Sequence, residues 1–302
     1  MSDVQGGGMF QGNLRYFYET VRAGSIRRAG DSLGVNPSSI SRQIAILERQ
    51  IGTPLFERNR SGLELTHAGA LVADYAASVI LDFDTLRSDL DDLRGTRRRV
   101  VRIAAVGSDG IIPATIAFRE KFDTVSFQID VCPGTRVIEA LKRNDCDIAS
   151  GFCIEPDPEI TVLARTPEPI VLAVNADHPA AAGLSLSLRQ LAEFALAVPD
   201  ESFGIRRILD QAFRMEGLTL RPAVSSNKLE ALMEFAAAGA GGALMPESTV
   251  RKHSSRGLKI IRVEDVAFNT SSVDIAVLSK RRLPRVVRLF VDELIARSVR
   301  VH

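Results

Sequence analysis

The segment from Ser25 to Thr66 constrains this chain more than any other, because two short helices, a tight turn and a basic hairpin account for all of it. Ser25 can N-cap a helix over Ile26 to Leu33, Gly34-Val35-Asn36 supplies a turn, and Pro37 stands where a new helix tolerates a residue without N–H. The second helix is predicted to run to about Ile51. Along it Ile40, Ile44, Leu47 and Ile51 recur at helical spacing and would pack on Leu33 and Val35, leaving Ser38, Ser39, Ser41, Arg42 and Gln43 for other faces. Short hydroxyls and an arginine at a helix N-terminus suit a major groove, since they reach base edges while the N-terminus itself attracts a phosphate. After Gly52, Leu55-Phe56 and Leu63-Leu65 flank Arg58-Asn59-Arg60-Ser61-Gly62, the basic tip of a hairpin. A winged helix-turn-helix over 13–66 follows, with Asn36, Pro37, Ser38, Ser39, Ser41, Arg42, Arg58, Arg60 and Thr66 expected at double-stranded DNA.

Thr66 also reads as the N-cap of a long helix reaching roughly to Leu93. Val72, Ala76, Val79, Phe83, Leu86, Leu90 and Leu93 alternate steps of four and three, a heptad seam. Such a helix is about 40 Å long at 1.5 Å per residue, and an apolar seam along it needs a partner. The chain's own core could supply that partner; the seam is read instead as a dimerisation surface, with 67–95 as linker helix. Gly95-Thr96-Arg97-Arg98-Arg99 reads as a solvated hinge.

Beyond Val100 strands and helices alternate, the pattern of a mostly parallel sheet covered on both faces. Strands are predicted at Val100–Val106, Ser126–Val131 and Asp147–Gly151, then at Ile170–Val174, Ala195–Val198, Leu258–Val263 and Val273–Leu278. Helices are predicted at Pro113–Lys121, Arg136–Asn144, Gly204–Met215 and Lys228–Ala238, with Pro284 opening a terminal one to about Val299. Where strand ends and helix N-termini converge, a small-molecule site is expected. Ser108 and Asp109 lie in the loop after the first strand; Asp109 either caps the next helix or takes a ligand's amino group. Thr135 is a hydrogen-bonding candidate, and Arg136 is either a carboxylate clamp or a solvated side chain.

The run Ala23-Gly24-Ser25, Ala29, Leu33, Val35, Ser38, Ile40-Ser41-Arg42-Gln43-Ile44, Leu47-Glu48, Gly52, Pro54-Leu55-Phe56-Glu57-Arg58 and Leu65-Thr66-Ala68-Gly69 resembles the LysR-type transcriptional regulators. Two positions depart from that pattern. Ala29-Gly30 stands where a double alanine is usual, and Pro37, with no side-chain donor or acceptor, stands where a glutamine is common. The resemblance implies an α+β multi-domain chain: head, linker helix pairing as a homodimer or homotetramer, and a two-lobed α/β effector-binding domain over 96–302 similar to periplasmic solute-binding proteins. Its lobes would comprise about 100–169 with 271–302, and about 170–270, joined by two crossovers. The resemblance also adds Ser202, Phe203 and Asn227 to Ser108, Asp109, Thr135 and Arg136 as contacts of a small effector of unspecified identity.

Composition agrees without proposing this. With 302 residues, 45% hydrophobic, more than one core is available, and a net charge of +1 gives no global nucleic-acid signature. Arginines from Arg15 to Arg60 gather in the head and acids offset most of them, so DNA binding should depend on salt. No run of about 18 apolar residues exists, so no membrane span and a cytoplasmic location are expected. Residues 1–12, with the triplet Gly6 to Gly8, read as a disordered leader in which Met9 is an alternative start. Cys132, Cys146 and Cys153 read as buried thiols, with a redox switch as the alternative. His67, His178, His253 and His302 are isolated, and Gly239-Ala240-Gly241-Gly242 follows a helix, so no metal, cofactor or enzyme activity is expected. A sensory module whose head binds protein is the alternative function.

Overall fold

The computed structural model describes residues 6–59, 62–94, 99–252 and 257–298. They form two compact units, Met1–Arg97 with Lys280–Pro284, and Arg98–Ser279 with Arg285–His302.

The first unit begins with α1 (Gly6–Ala23), α2 (Ile26–Leu33) and α3 (Pro37–Ile51). Local chemistry sets these bounds: Ser25 Oγ accepts from Arg28 N at 3.1 Å, and Gly34 closes α2 at φ 63°. Asn36 Oδ1 accepts from Ser38 N at 3.0 Å with Pro37 in the first turn, and Gly52 closes α3 at φ 82°. The antiparallel hairpin β1 (Phe56–Asn59) and β2 (Gly62–Leu65) precedes α4 (His67–Arg94), whose first turn is capped by Thr66 Oγ1 accepting from Gly69 N at 2.9 Å. Leu14, Phe17, Ile40, Ile44, Leu47 and Leu55 form the core of the unit, with Phe17 and Phe56 ring centroids 5.2 Å apart. Each such burial contributes about 1.5–3 kcal/mol relative to exposure.

Two expectations are corrected here. The leader expected over 1–12 is helical from Gly6, because extending a helix already anchored by Leu14, Phe17 and Tyr18 adds one hydrogen bond per residue without a new nucleus. The seam of α4 is divided: Val72, Ala76 and Val79 pack on the unit's own core, whereas Phe83, Leu86 and Leu90 are exposed. Leu71 and Tyr75 are exposed in the first half instead, since the α1–α3 core claims the other side of the helix. The side chain of Leu93 lies outside the described residues.

The second unit holds two sheets. It runs β3 (Arg99–Ala105), α5 (Ile111–Lys121), β4 (Val125–Val131), α6 (Gly134–Lys142), β5 (Ile148–Phe152), β6 (Ile160–Pro167) and β7 (Ile170–Asn175). A 3-10 turn, Pro179–Ala182, leads to β8 (Ser185–Leu186), α7 (Leu188–Leu191), β9 (Leu196–Pro199), α8 (Gly204–Met215), β10 (Val224–Ser226) and α9 (Leu229–Ala237). The chain ends with β11 (Gly242–Pro246), α10 (Glu247–Lys252), β12 (Leu258–Val263), α11 (Val266–Asn269), β13 (Ser272–Leu278) and α12 (Arg285–Ser298). One lobe is the sheet β4-β3-β5-β13-β6, the other β10-β9-β11-β7-β12-β8.

The sheets are mixed rather than mostly parallel. β13 runs antiparallel to both β5 and β6, and β7 antiparallel to both β11 and β12. A strand leaving a lobe through the hinge and one returning through it must run in opposite directions, and the two crossovers are joined where Glu168 N donates to Ser271 O at 2.8 Å. β6, β8, β10 and β11 were not expected. β11 is buried throughout and follows Gly241, at φ 155°, whose glycine-rich turn hides the strand behind it; a Cβ there would stand 2.1 Å from Ala195 O. Among the described residues no helix is long and apolar enough to cross a membrane.

Candidate DNA interface and interlobe cleft

The exposed start of α3 gathers most of the expected DNA contacts. Asn36, Pro37, Ser38, Ser39 and Arg42 are exposed and Ser41 is half-buried, so the first two turns present hydroxyls and one guanidinium beside the helix N-terminus. Asn36 is committed in part: besides capping the helix, its Oδ1 accepts from Ser38 Oγ at 2.9 Å. Pro37 acts through packing. A Cβ on Gly30 would stand 2.7 Å from Val35 O and 3.2 Å from Pro37 Cγ, so the glycine at 30 and the proline at 37 are parts of one close approach of α2 to the turn.

Thr66 does not join this face as a donor. Its hydroxyl donates to Pro54 O at 2.8 Å and accepts from Gly69 N, which leaves no proton for a phosphate. The hairpin tip is only partly described: Arg58 lies in β1 with its side chain outside the described residues, and Arg60 lies outside them altogether.

In the second unit the strand-end loops of the two lobes meet. Gly134 N donates to Ser202 O at 3.0 Å, and a Cβ on Gly204 would stand 2.8 Å from Phe152 O. Thr135, exposed in the first turn of α6, is thereby brought to the Ser202-Phe203 loop. Asn227 is joined to the same loop through Asp200 N, which donates to Ser226 O at 3.0 Å. The Ser202 hydroxyl is occupied, donating to Asp200 Oδ1 at 2.5 Å, while Phe203 is half-buried. Ser108 turns the chain into α5, its carbonyl accepting from Ile111 N at 3.1 Å and Ile112 N at 3.0 Å.

The charged candidates behave differently from their sequence readings. Asp109 does not cap α5, whose N-cap is Gly110 without a side-chain bond; its Oδ1 meets Lys252 Nζ of the other lobe at 2.6 Å. The cap is lost because the carboxylate turns toward a cation that no local rule places there. Arg136 faces Asp130 of its own lobe at 3.6 Å, both side chains being mostly exposed, so it is solvated rather than aimed as a clamp.

Lys252, Arg207 and Glu155 were missed by sequence reasoning. Arg207 on α8 pairs with Glu155 and donates to Cys153 O at 3.2 Å, a second bridge between lobes. Nothing in local spacing signals either pair. A groove of about 400 Å³ runs along α8, lined by Glu201, Arg206, Arg207, Asp210 and Arg214 among others. Its Arg206 Nε is held by Asp210 at 3.0 and 3.1 Å.

Cys132 and Cys146 are buried and Cys153 is half-buried. Burial pushes the Cys146 thiol up to about 12, and burial likewise raises Cys132 with Asp130 nearby. At pH 8 a thiol of that kind is about one part in ten thousand thiolate. Ellman's reagent is therefore expected to titrate at most Cys153 in the native protein within minutes, and all three thiols after denaturation; rapid native reaction of Cys146 would contradict its burial. Among the described residues no group of three or more His, Cys, Asp or Glu is placed to hold a metal ion.

The chain matches two family models. "Bacterial regulatory helix-turn-helix protein, lysR family" covers residues 12–70, and "LysR substrate binding domain" covers residues 94–298. It is 27% identical over 239 residues to a RuBisCO operon transcriptional regulator of Allochromatium vinosum, covering 78% of this chain and 79% of that one. Among solved structures, a full-length OxyR from Pseudomonas aeruginosa is similar over 96% of this chain and 94% of that one, with TM-score 0.68 and 19% identity. The effector binding domain of QuiR in complex with shikimate is similar over 68% of this chain and 99% of that one, with TM-score 0.59 and 17% identity.

Proposed function

The chain belongs to the LysR family of transcriptional regulators, and on that premise we propose that α3 reads operator DNA while the cleft of the two-lobed unit holds the effector that controls it. It is a DNA-binding regulator with an effector-binding domain, and not an enzyme. The observation that carries the DNA reading is the exposed, capped start of α3, with Ser38, Ser39 and Arg42 free of the core. We assign base readout to Arg42, with Ser39 and Ser41 beside it, and backbone contacts to the helix N-terminus and the hairpin arginines Arg58 and Arg60. Thr66 is left out, because its hydroxyl holds α4 to the turn before β1.

Two copies pair through the exposed stripe of α4, Leu71, Tyr75, Phe83, Leu86 and Leu90, giving a homodimer that can assemble further into a homotetramer. Pairing places two α3 helices on two half-sites of one operator in the cytoplasm, where the DNA is. In the second unit Ser108, Asp109, Thr135, Phe203 and Asn227 surround the effector. A ligand there changes the regulator only by binding one arrangement of the lobes more tightly than the other.

Arg42→Ala is expected to cost about 1–3 kcal/mol of operator affinity while leaving binding to random DNA within a factor of about two. Fluorescence anisotropy on DNA from upstream of the gene and on random DNA of equal length, each over a salt series, separates the terms. An equal loss on both would make Arg42 a phosphate contact. No binding of the native protein to either at low salt would overturn the DNA reading.

A further inference from the structure

Among the described residues two ion pairs join the lobes, Arg207–Glu155 and Lys252–Asp109, and they differ in what else they hold. Arg136–Asp130 and Arg206–Asp210 each lie within one lobe. Arg207–Glu155 joins the lobes, but Arg207 is also bound to the main chain at Cys153 O, beside the tight contact of Gly204 with Phe152. Lys252–Asp109 joins the lobes with neither residue holding a second partner among the described residues, and both side chains are about half exposed, 49% and 48%. The loop that carries Asp109 has open space around it, since a Cβ on Gly107 or Gly110 would meet nothing within 4 Å. Parting this pair breaks no other side-chain hydrogen bond or ion pair of Asp109 or Lys252 among the described residues.

Parting it leaves one bare carboxylate on the first lobe and one bare ammonium on the second. A ligand carrying only a carboxylate satisfies Lys252 and sets a like charge against Asp109. A ligand carrying only an amine does the reverse. A neutral ligand compensates neither. A molecule with both charges replaces one ion pair by two and still ties the lobes together, so it favours the joined arrangement over the parted one. Of the two cations that join the lobes, Arg207 is held by the Cys153 main chain as well as by Glu155, so Lys252 is the one freed by parting a single ion pair.

From this we infer that the effector is a small zwitterion of the amino-acid type, its ammonium group held by Asp109 and its carboxylate by Lys252. The inference rests on the reading of the interlobe cleft as the effector site.

The test is calorimetric titration of the full-length protein with the twenty common amino acids, their deaminated acids, their decarboxylated amines, and a set of aromatic and aliphatic carboxylates and sugars. The expected result is binding of at least one amino acid, weakened at least about tenfold in its deaminated or decarboxylated form. Asp109→Asn and Lys252→Met, both at exposed positions, should each weaken it by a similar factor, and Asp109→Asn should narrow the gap between the amino acid and its deaminated acid. Binding confined to a carboxylate or a sugar overturns the zwitterion and leaves the effector reading standing. Amino-acid binding that neither substitution alters overturns the assignment to this pair. No heat with any compound overturns it as well, and the effector reading fails with it if the footprint on upstream DNA is also unchanged by every compound.

Discussion

Glutamate at both Phe83 and Leu86 is expected to split the protein into monomers at micromolar concentration and to lower operator affinity at least about a hundredfold. The two side chains are 57% and 53% exposed on α4 although both are large and apolar, and they lie at the middle of the stripe that runs from Leu71 to Leu90. In a twofold pairing the double variant removes four such side chains from the interface. At about 1.5 kcal/mol each, that is roughly 6 kcal/mol before the repulsion between opposed carboxylates is added. The helix itself should persist, because Thr85 between them is buried and its one hydroxyl proton is shared between Leu81 O at 2.9 Å and Arg282 O at 2.8 Å. Sedimentation equilibrium reads the mass and circular dichroism the helix content. A variant that remains dimeric with unchanged affinity would place the pairing surface elsewhere. Val72→Glu and Ala76→Glu make the contrasting case, since those residues pack within the unit and should lower stability instead.

The second large effect is expected at Gly69. A Cβ there would stand 2.0 Å from Leu55 O and 3.0 Å from Leu65 Cδ2, at the point where α4 crosses the chain entering β1. Leu55 cannot retreat easily: its N–H donates to Glu48 Oε1 at 2.8 Å, and its carbonyl accepts from Thr66 N at 3.1 Å. Gly69→Ala should therefore destabilise the first unit by about 3 kcal/mol or more, as overpacking against main chain does, and abolish operator binding near its new melting temperature. Differential scanning calorimetry should show the transition of this unit lowered and that of the two-lobed unit in place. An unchanged thermogram would mean that the close approach relaxes at no cost. The position matters to function because the same few residues, Leu55, Thr66 and Gly69, fasten α4 to the hairpin, and so to α3 through Glu48.

Within the DNA-binding head the sequence was legible almost to the residue. Helix α2 spans Ile26–Leu33 and α3 spans Pro37–Ile51, because Ser25, Gly34, Asn36, Pro37 and Gly52 act on donors and acceptors no more than a few positions away. The family resemblance rests on those same residues. The alternation of strands and helices in the second unit was also readable, except where a strand lacked a distinctive frame, as in β6 and β11. The candidate cleft was legible as loops but not as contacts. Ser108 and Thr135 could be named from their places in loops between strand and helix, and Phe203 and Asn227 from the family resemblance, whereas Lys252 could not be set against Asp109 from across 143 positions of chain. The same holds for the face of α4 that is covered, the antiparallel returns of β7 and β13, and the proton of Thr66 given to Pro54. Caps, breakers and periodicity are short-range, and the chain carries them wherever it goes. Which charges meet across a cleft, and which side of a helix stays bare, depends on segments distant in sequence, and only the packed molecule decides them.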